Sequence, residues 1–339
     1  MESPCPLSLV ASLRSPPTSL STARGKAVLA LKTGELLSID LETGGKVKLV
    51  KEKITVTAVA KANDIVIYGT RKGEIKAIID GRIARIATRH ASSIVEICAT
   101  EDDSDVNVIT SSADKKVMLW KLVISPQRIV SLVFIKALYG PNTAIISSRV
   151  SGDRRFVACT SELSNTIRVF KLEKDTQLLF KVRDGEHALH AEWIGAEEFV
   201  AASDSGALYL YSTEDAAPLQ IVEQAPSAKS CTPTLLKRVG DNKVVVGYSN
   251  GQIALVEMDT NGRRKIEVRE LGNCRGIPNS AEPVKGDNGE EEIVLAAGQE
   301  ERHKRFIIEE NAKNALWRIA TSQSAESAAQ PAGTAAHHR

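Results

Sequence analysis

Hydrophobic and polar positions along the chain alternate in short β-type runs separated by tight polar turns. The run Ala27 to Lys32 meets a turn at Thr33-Gly34 and is answered by Glu35 to Asp40. The same figure returns as Ile65 to Thr70 with Glu74 to Asp80, Val106 to Ser111 with Lys116 to Lys121, and Arg155 to Thr160 with Thr166 to Lys171. It returns again as Phe199 to Ser203 with Ala207 to Ser212, Lys243 to Tyr248 with Gln252 to Glu257, and Ile293 to Ala297 with roughly Arg305 to Glu309. Most connecting turns carry Gly, Asn or Asp, the residues that accept the positive φ of a hairpin, so each pair of runs predicts a β-hairpin.

The last apolar residue of each second run falls at Ile39, Ile79, Trp120, Phe170, Tyr211, Val256 and Ile308, at spacings of 40, 41, 50, 41, 45 and 52. That is the WD-repeat period of about 40–45 residues, with two insertions. Further strand candidates such as Ile94 to Cys98 and Leu178 to Val182 bring the number to four per unit. Seven such units close into a ring without long free edges, so the sequence predicts an all-β, seven-bladed WD-repeat β-propeller. Ring closure calls for strands from both chain ends, and Leu7 to Leu13 and Ala315 to Ile319 are the candidates. Glu186 to Val200 reads as strand-turn-strand, as the repeat register requires, although Leu189, Trp193 and Ile194 also have helical spacing. The expected domain plan is an N-terminal segment over 1–19, the propeller over 20–320, and a disordered Ala/Ser/Gln-rich tail over 321–339.

Composition narrows the function classes. With aromatics at 4%, the core must be built from Val, Ile, Leu and Ala. Charge is nearly balanced, 44 Lys and Arg against 42 Asp and Glu, so nucleic-acid binding requires a local patch. The longest apolar run, Ile129 to Ile135, is far short of the roughly 20 residues of a membrane span. The N-terminus lacks the basic start of a secretory signal, and its Ser-rich stretch with Arg14 and Arg24 is read as an edge strand in preference to a transit peptide. Five scattered cysteines show no zinc or redox spacing.

His90, Ser111 or Ser112, and Asp114 are the residue types of a hydrolase triad. The repeat explains them better. With Trp120 they occupy the places of the buried structural tetrad of a WD blade, taken here as His90, Ser111, Asp114 and Trp120. Glu186, His187 and His190 could suggest a metal, but the two rings of a strand entry would face opposite ways. No phosphate-binding glycine loop or calcium loop is present. The reading therefore assigns no catalytic residue, metal, cofactor or small-molecule substrate, and expects a non-enzyme.

Charge placement is more telling. In a propeller the turns between second and third strands share a rim with the links between blades. That rim gathers Lys32, Arg71, Lys72, Arg89, Lys115, Lys116 and Arg302 from blades seven, one, two and three. The matching turns of blades four and five hold Glu162, Asp184, Glu186 and Asp204. A basic half-rim of this kind can neutralise a phosphate backbone.

The last blade is more specific still. Gly276-Ile277-Pro278-Asn279-Ser280 precedes the seventh hairpin, Ala297-Gly298-Gln299-Glu300-Glu301-Arg302-His303-Lys304-Arg305-Phe306 follows, and then Ala312-Lys313-Asn314. This resembles the C-terminal signature of the WD-repeat protein family specific to the U3 small nucleolar ribonucleoprotein. Glu301, Lys304 and Phe306 stand where that family has His, Gly and Trp, and its long charged N-terminal extension is expected to be missing. The resemblance implies a non-catalytic component that recognises the box B/C region of U3 RNA beside a kink-turn-binding core protein. It implies other small-subunit processome proteins as partners, work in pre-ribosomal RNA processing, and a location in the nucleus and nucleolus. On it, Arg302, Arg305 and Lys313 join Arg71, Lys72, Arg89, Lys115 and Lys116 as candidate RNA or partner contacts. The alternative is a WD-repeat scaffold that binds only proteins.

Overall fold

A computed structural model describes residues 7–23, 25–62, 64–87, 90–102, 105–125, 127, 129–222, 231–259, 265–274, 276–285, 291–298 and 315–320. They form 28 strands, and among the described residues there is no helix. The strands make seven four-stranded antiparallel sheets, the blades of a closed β-propeller. Blade one holds β2 (Pro17–Ala23), β3 (Lys26–Leu31), β4 (Glu35–Asp40) and β5 (Lys46–Lys51). Blade two runs from β6 (Val56–Ala62) through β7 (Ile65–Thr70) and β8 (Ile75–Ile79) to β9 (Arg82–Ala87). Blade three consists of β10 (Ile94–Asp102), β11 (Asp105–Ser112), β12 (Lys116–Ile124) and β13 (Val130–Tyr139).

Blade four contains β14 (Ile145–Val150), β15 (Phe156–Ser161), β16 (Thr166–Lys171) and β17 (Thr176–Lys181). Blade five has β18 (Ala188–Trp193), β19 (Glu198–Ser203), β20 (Leu208–Ser212) and β21 (Asp215–Val222), so Glu186 to Val200 is strand-turn-strand. Blade six comprises β22 (Pro233–Gly240), β23 (Lys243–Tyr248), β24 (Gln252–Met258) and β25 (Ile266–Asn273).

Blade seven is composite. Its inner strands are β26 (Ile277–Lys285) and β27 (Glu291–Gly298), its third is β28 (Ala315–Ala320), and its outermost is β1 (Leu7–Ser12) from the other end of the chain. Both candidate closing segments are thus used, as third and fourth strands. The seventh hairpin is corrected: the partner of β27 is β28, in register from Glu292–Ala320 to Ala297–Ala315, and not the run Arg305 to Glu309, which lies outside the described residues. In sequence, Arg305 to Glu309 holds the apolar group Phe306, Ile307 and Ile308, whereas Ala315–Ala320 supplies Leu316 and Ile319 to the core. The domain boundary expected at residue 20 falls inside β2, and 321–339 lie outside the described residues.

The first strand of every blade carries a register shift at its start, from Pro17/Ser19 in blade one to Pro278/Ser280 in blade seven. Such bulges add twist and bend, and here they turn each inner strand to line a common axis. The core is distributed: seven clusters of buried residues, each spanning one interface between neighbouring blades. Small residues such as Ala27, Ala30, Ala77, Ala201 and Ala254 let adjacent sheets approach.

Candidate functional site

In blades one to six the turn between second and third strands is tied to the segment entering the first strand. The amide of Lys32 donates to Pro16 O at 2.9 Å, Arg71 to Thr55 O at 3.0 Å, and Ala113 to Ser93 O at 2.9 Å. Glu162, Asp204 and Ser249 donate in the same way to Ala144, His187 and Thr232. These bonds fix one rim of the ring, the rim on which the basic side chains fall.

The turn itself needs a left-handed residue. Gly34, Gly73, Gly206 and Gly251 supply it in blades one, two, five and six, each with φ between 79° and 90°. A Cβ at Gly73 would strike the carbonyls of His90 and Ser92. Blade three places Lys115 at this position with φ of 74°, a conformation that costs an L residue about 1–2 kcal/mol. Its ammonium donates to Asn142 O at 2.6 Å, and Lys116 lies 5.7 Å from the Tyr139 ring centroid.

Arg71, Lys72 and Lys115 are exposed on this half-rim, as are Lys32 and, in the link between blades one and two, Lys53, which the sequence reading did not single out. The acidic groups nearby are engaged. Glu52 accepts both Lys76 Nζ at 2.9 Å and Tyr68 Oη at 2.7 Å, and Glu35 faces Lys51 at 3.5 Å. Burial opposes the Glu52 charge, but the tyrosine and lysine bonds outweigh it and hold its pKa below the usual carboxylate value. On blades four and five the same rim exposes Glu162 and the adjacent pair Arg183 and Asp184, with Glu186 bonded to Tyr209 and Asp204 to His187. Arg89, Arg302, Arg305 and Lys313 lie outside the described residues.

Beneath this rim in blade three sits the polar tetrad, with one member changed. His90 Nδ1 faces Asp114 at 3.0 Å, His90 Nε2 meets Thr110 Oγ1 at 2.8 Å, and Trp120 Nε1 donates to the same hydroxyl at 2.9 Å. The hydroxyl is Thr110, not Ser111. Side chains alternate along β11, so residue 110 shares the face of Trp120 while Ser111 points to blade four and meets Ser148 Oγ at 2.6 Å. Ser112 instead caps the turn, accepting from Asp114 N and donating to Ser92 O. Burial depresses the His90 pKa despite the Asp114 carboxylate.

The axis of the ring is a channel of about 430 Å³ lined by all seven first strands. At equivalent positions blades four to seven place Arg149, Glu192, Lys237 and Glu282, while blades one to three place Ser21, Ala60 and Cys98. Arg149 bridges Glu96 at 2.6 Å and Glu192 at 2.9 Å, and Lys237 reaches Glu282 at 3.0 Å. Burial raises the Glu192 pKa against the pull of Arg149. His190 faces the channel with its pKa lowered to about 4 by burial and by Arg149, while His187 turns to the rim. The Cys98 thiol is pushed up to about 11 by burial, which removes the thiolate character that a reactive cysteine needs. Alternating charges on consecutive strands clamp neighbouring blades. Sequence reasoning missed this layer, although Arg149, Glu192, Lys237 and Glu282 recur at spacings of 43, 45 and 45.

A ring of seven four-stranded blades with a His-Thr-Trp-Asp network beneath its rim defines a WD40-type propeller. Among solved structures the chain is similar to that of U3-55K, with a TM-score of 0.74 and 17% identity over 93% of this chain and 98% of that one. It is also similar to the RRP9 WD40 repeats, at 0.75 and 16% over 94% and 99%. The WD40 β-propeller domain of Doa1 matches at 0.68 and 14% over 94% and 98%. These likenesses carry the fold. No family model and no curated protein matches the chain.

Proposed function

We propose that the chain is a non-catalytic component of the U3 small nucleolar ribonucleoprotein, contacting the box B/C region of U3 RNA with the basic half of its rim. The observation that carries the reading is the segregation of charge on one rim: Arg71, Lys72 and Lys115 exposed on blades two and three, acids on blades four and five. Guanidinium and ammonium groups spread over contiguous blades suit a phosphate backbone, and Arg adds stacking on splayed bases. Two further supports point the same way. The last-blade run from Gly298 to Asn314 resembles the U3-specific family, and the structural neighbours include U3-55K. That run joins β27 to β28, a second-to-third-strand connection like those that carry Arg71 and Lys115. Arg89, Arg302, Arg305 and Lys313 are assigned to the same contact from their places in the sequence and the family resemblance. Partners are the kink-turn-binding core protein and other processome proteins, and the site of action is the nucleolus within the nucleus.

The test is to reverse Lys115, Lys116 and Arg302 to Glu together and titrate box B/C RNA at several salt concentrations. Loss of at least tenfold in affinity is expected, with the salt slope reduced by about three. Unchanged affinity and slope would remove this surface from the reading. Ultraviolet crosslinking of the tagged protein in its cells supplies the wider test, with U3 RNA the expected dominant species. Background RNA together with a stable set of proteins would establish a protein scaffold instead.

A further inference from the structure

The outermost strands of the blades differ in how they protect their free edges. β5 carries Lys46, Lys48 and Lys51; β9 carries Arg82 and Arg85; β21 carries Asp215 and Pro218; β25 carries Glu267, Arg269 and Glu270. Charges and proline on an edge strand are the usual guard against pairing with another chain. β13 lacks that guard. It is the longest of the outer strands at 10 residues, and its only charge, Lys136, is drawn across to blade four, where Nζ meets Leu172 O and Asp175 at 2.5 Å. Along it Val133, Ile135 and Tyr139 are 52%, 51% and 65% exposed.

The surroundings form a cleft. The outer strands of blades two and three pack together, as do those of blades four and five. Between blades three and four, a cavity of about 280 Å³ opens, lined by Lys136 to Tyr139, Phe170, Asp175 and Gln177. Leu179, 48% exposed, stands on the face of β17 that carries Gln177 and Lys181. On the other side, Val133 lies opposite Lys121 in register and shares its face. Aliphatic side chains therefore alternate with basic ones on both flanks.

We propose that the outer edge of β13, with the cleft beside it, docks an extended acidic-apolar peptide of a partner protein, added as a fifth strand to blade three. Main-chain bonds to the free edge supply affinity, and side chains on alternate positions supply selectivity. Apolar residues of the peptide cover Val133, Ile135 and Leu179, and acidic ones face Lys121 and Lys181. Charge selects this occupant: Lys121 and Lys181 are exposed on the two flanks, while Lys136 and Asp175 offset each other in the cleft. RNA would meet Val133, Ile135 and Leu179, which offer no face for stacking, with Tyr139 the exposed ring beside them. This surface adjoins the rim at Tyr139, which pairs with Lys116 in register, and it does not rest on the U3 reading.

The probe is a fluorescent ten-residue peptide alternating Leu or Val with Asp or Glu, titrated by anisotropy against the full chain. Binding is expected to weaken at least tenfold when the peptide's acids become Lys, when one edge of its backbone is N-methylated, or in the variant Val133→Lys with Ile135→Lys. Leu179→Lys, across the cleft, is expected to weaken it several-fold. All three residues are exposed, so an unchanged thermal transition confirms that the variants fold. Equal binding of acidic and basic peptides, or binding untouched by the variants, would overturn the proposal. So would a single-stranded RNA oligomer being the ligand these variants lose, or sedimentation showing that they abolish self-association instead.

Discussion

Blades three and five build the same hairpins around opposite interiors. Blade three buries a polar network in which one hydroxyl, Thr110 Oγ1, meets both the His90 imidazole and the Trp120 indole. Blade five has Ala201 in the place of Thr110 and Tyr211 in the place of Trp120, and fills its interface with blade four by aromatic packing. Of the chain's 3 Trp, 5 Tyr and 6 Phe, six residues meet there. Phe156 stacks on Trp193 at 5.5 Å, Trp193 meets Phe199 at 5.4 Å, and Phe199 stacks on Tyr211 at 5.2 Å. Its own histidine-aspartate pair, His187 and Asp204, is more than one-third exposed on both sides, and exposed pairs contribute only about 0–1 kcal/mol. Blade geometry therefore does not require the tetrad. Directional bonds and close-packed rings are interchangeable solutions, and they should fail in different ways.

The largest effect is expected on the aromatic side. Trp193→Ala removes a fully buried indole and leaves a cavity between blades four and five, at a cost of about 3–5 kcal/mol. Urea unfolding should show a lower midpoint; a loss below 1 kcal/mol would mean the aromatic interface is not a principal support. Thr110→Val keeps shape and strands two buried donors or acceptors, on His90 and Trp120, at about 1–3 kcal/mol for each. A double-mutant cycle with Trp120→Phe should recover part of that loss, since the indole N–H is then absent; additive losses would show that the network is not coupled.

The third expectation concerns pH. His190, with a folded pKa of about 4, binds its proton more readily when unfolded, where the value is near 6.5. Its contribution is complete above pH 6.5 and is lost as pH falls towards 4, amounting to ~2 kcal/mol by pH 5. His90 acts with the same sign, and Glu192, whose folded pKa is raised, acts with the opposite one. Comparing unfolding at pH 7.5 and 5.0 for the chain and for His190→Gln isolates the term: the variant should lose ~2 kcal/mol less on acidification. An equal loss in both would place His190 outside the pH response.

Hairpins were legible because their information is local: alternation, turn glycines and a 40-residue period are all visible within a short window. The tetrad was legible up to parity, since Thr110, Ser111 and Ser112 all offer a hydroxyl and only the register of β11 against β12 selects Thr110. Blade seven was misread because Phe306-Ile307-Ile308 has the local character of a strand, while the choice of Ala315–Ala320 is made by its two neighbours, β27 and β1. The channel charges depended on position around the axis, which no single hairpin reveals. The exposed aliphatics of β13 stood in the sequence as the run Ile129 to Ile135, and their meaning came only with knowledge that β13 is an edge.

The pairing of Leu7–Ser12 with Ala315–Ala320 also sets a timetable. At roughly 5–20 residues per second on the ribosome, the first strand synthesised waits on the order of 15–60 seconds before its neighbour emerges. Throughout that interval β1 has no pairing partner within its own blade, and the six completed blades form an open arc with an uncovered face at either end. Blades one and six present those faces, through residues such as Leu20 and Leu29 on one and Leu235 and Ile253 on the other, and the blade-seven residues that later bury them include Ala11, Val294, Leu295 and Ile319. Closure of the ring thus waits on the synthesis of β28, and until then the nascent arc keeps both apolar faces open to solvent.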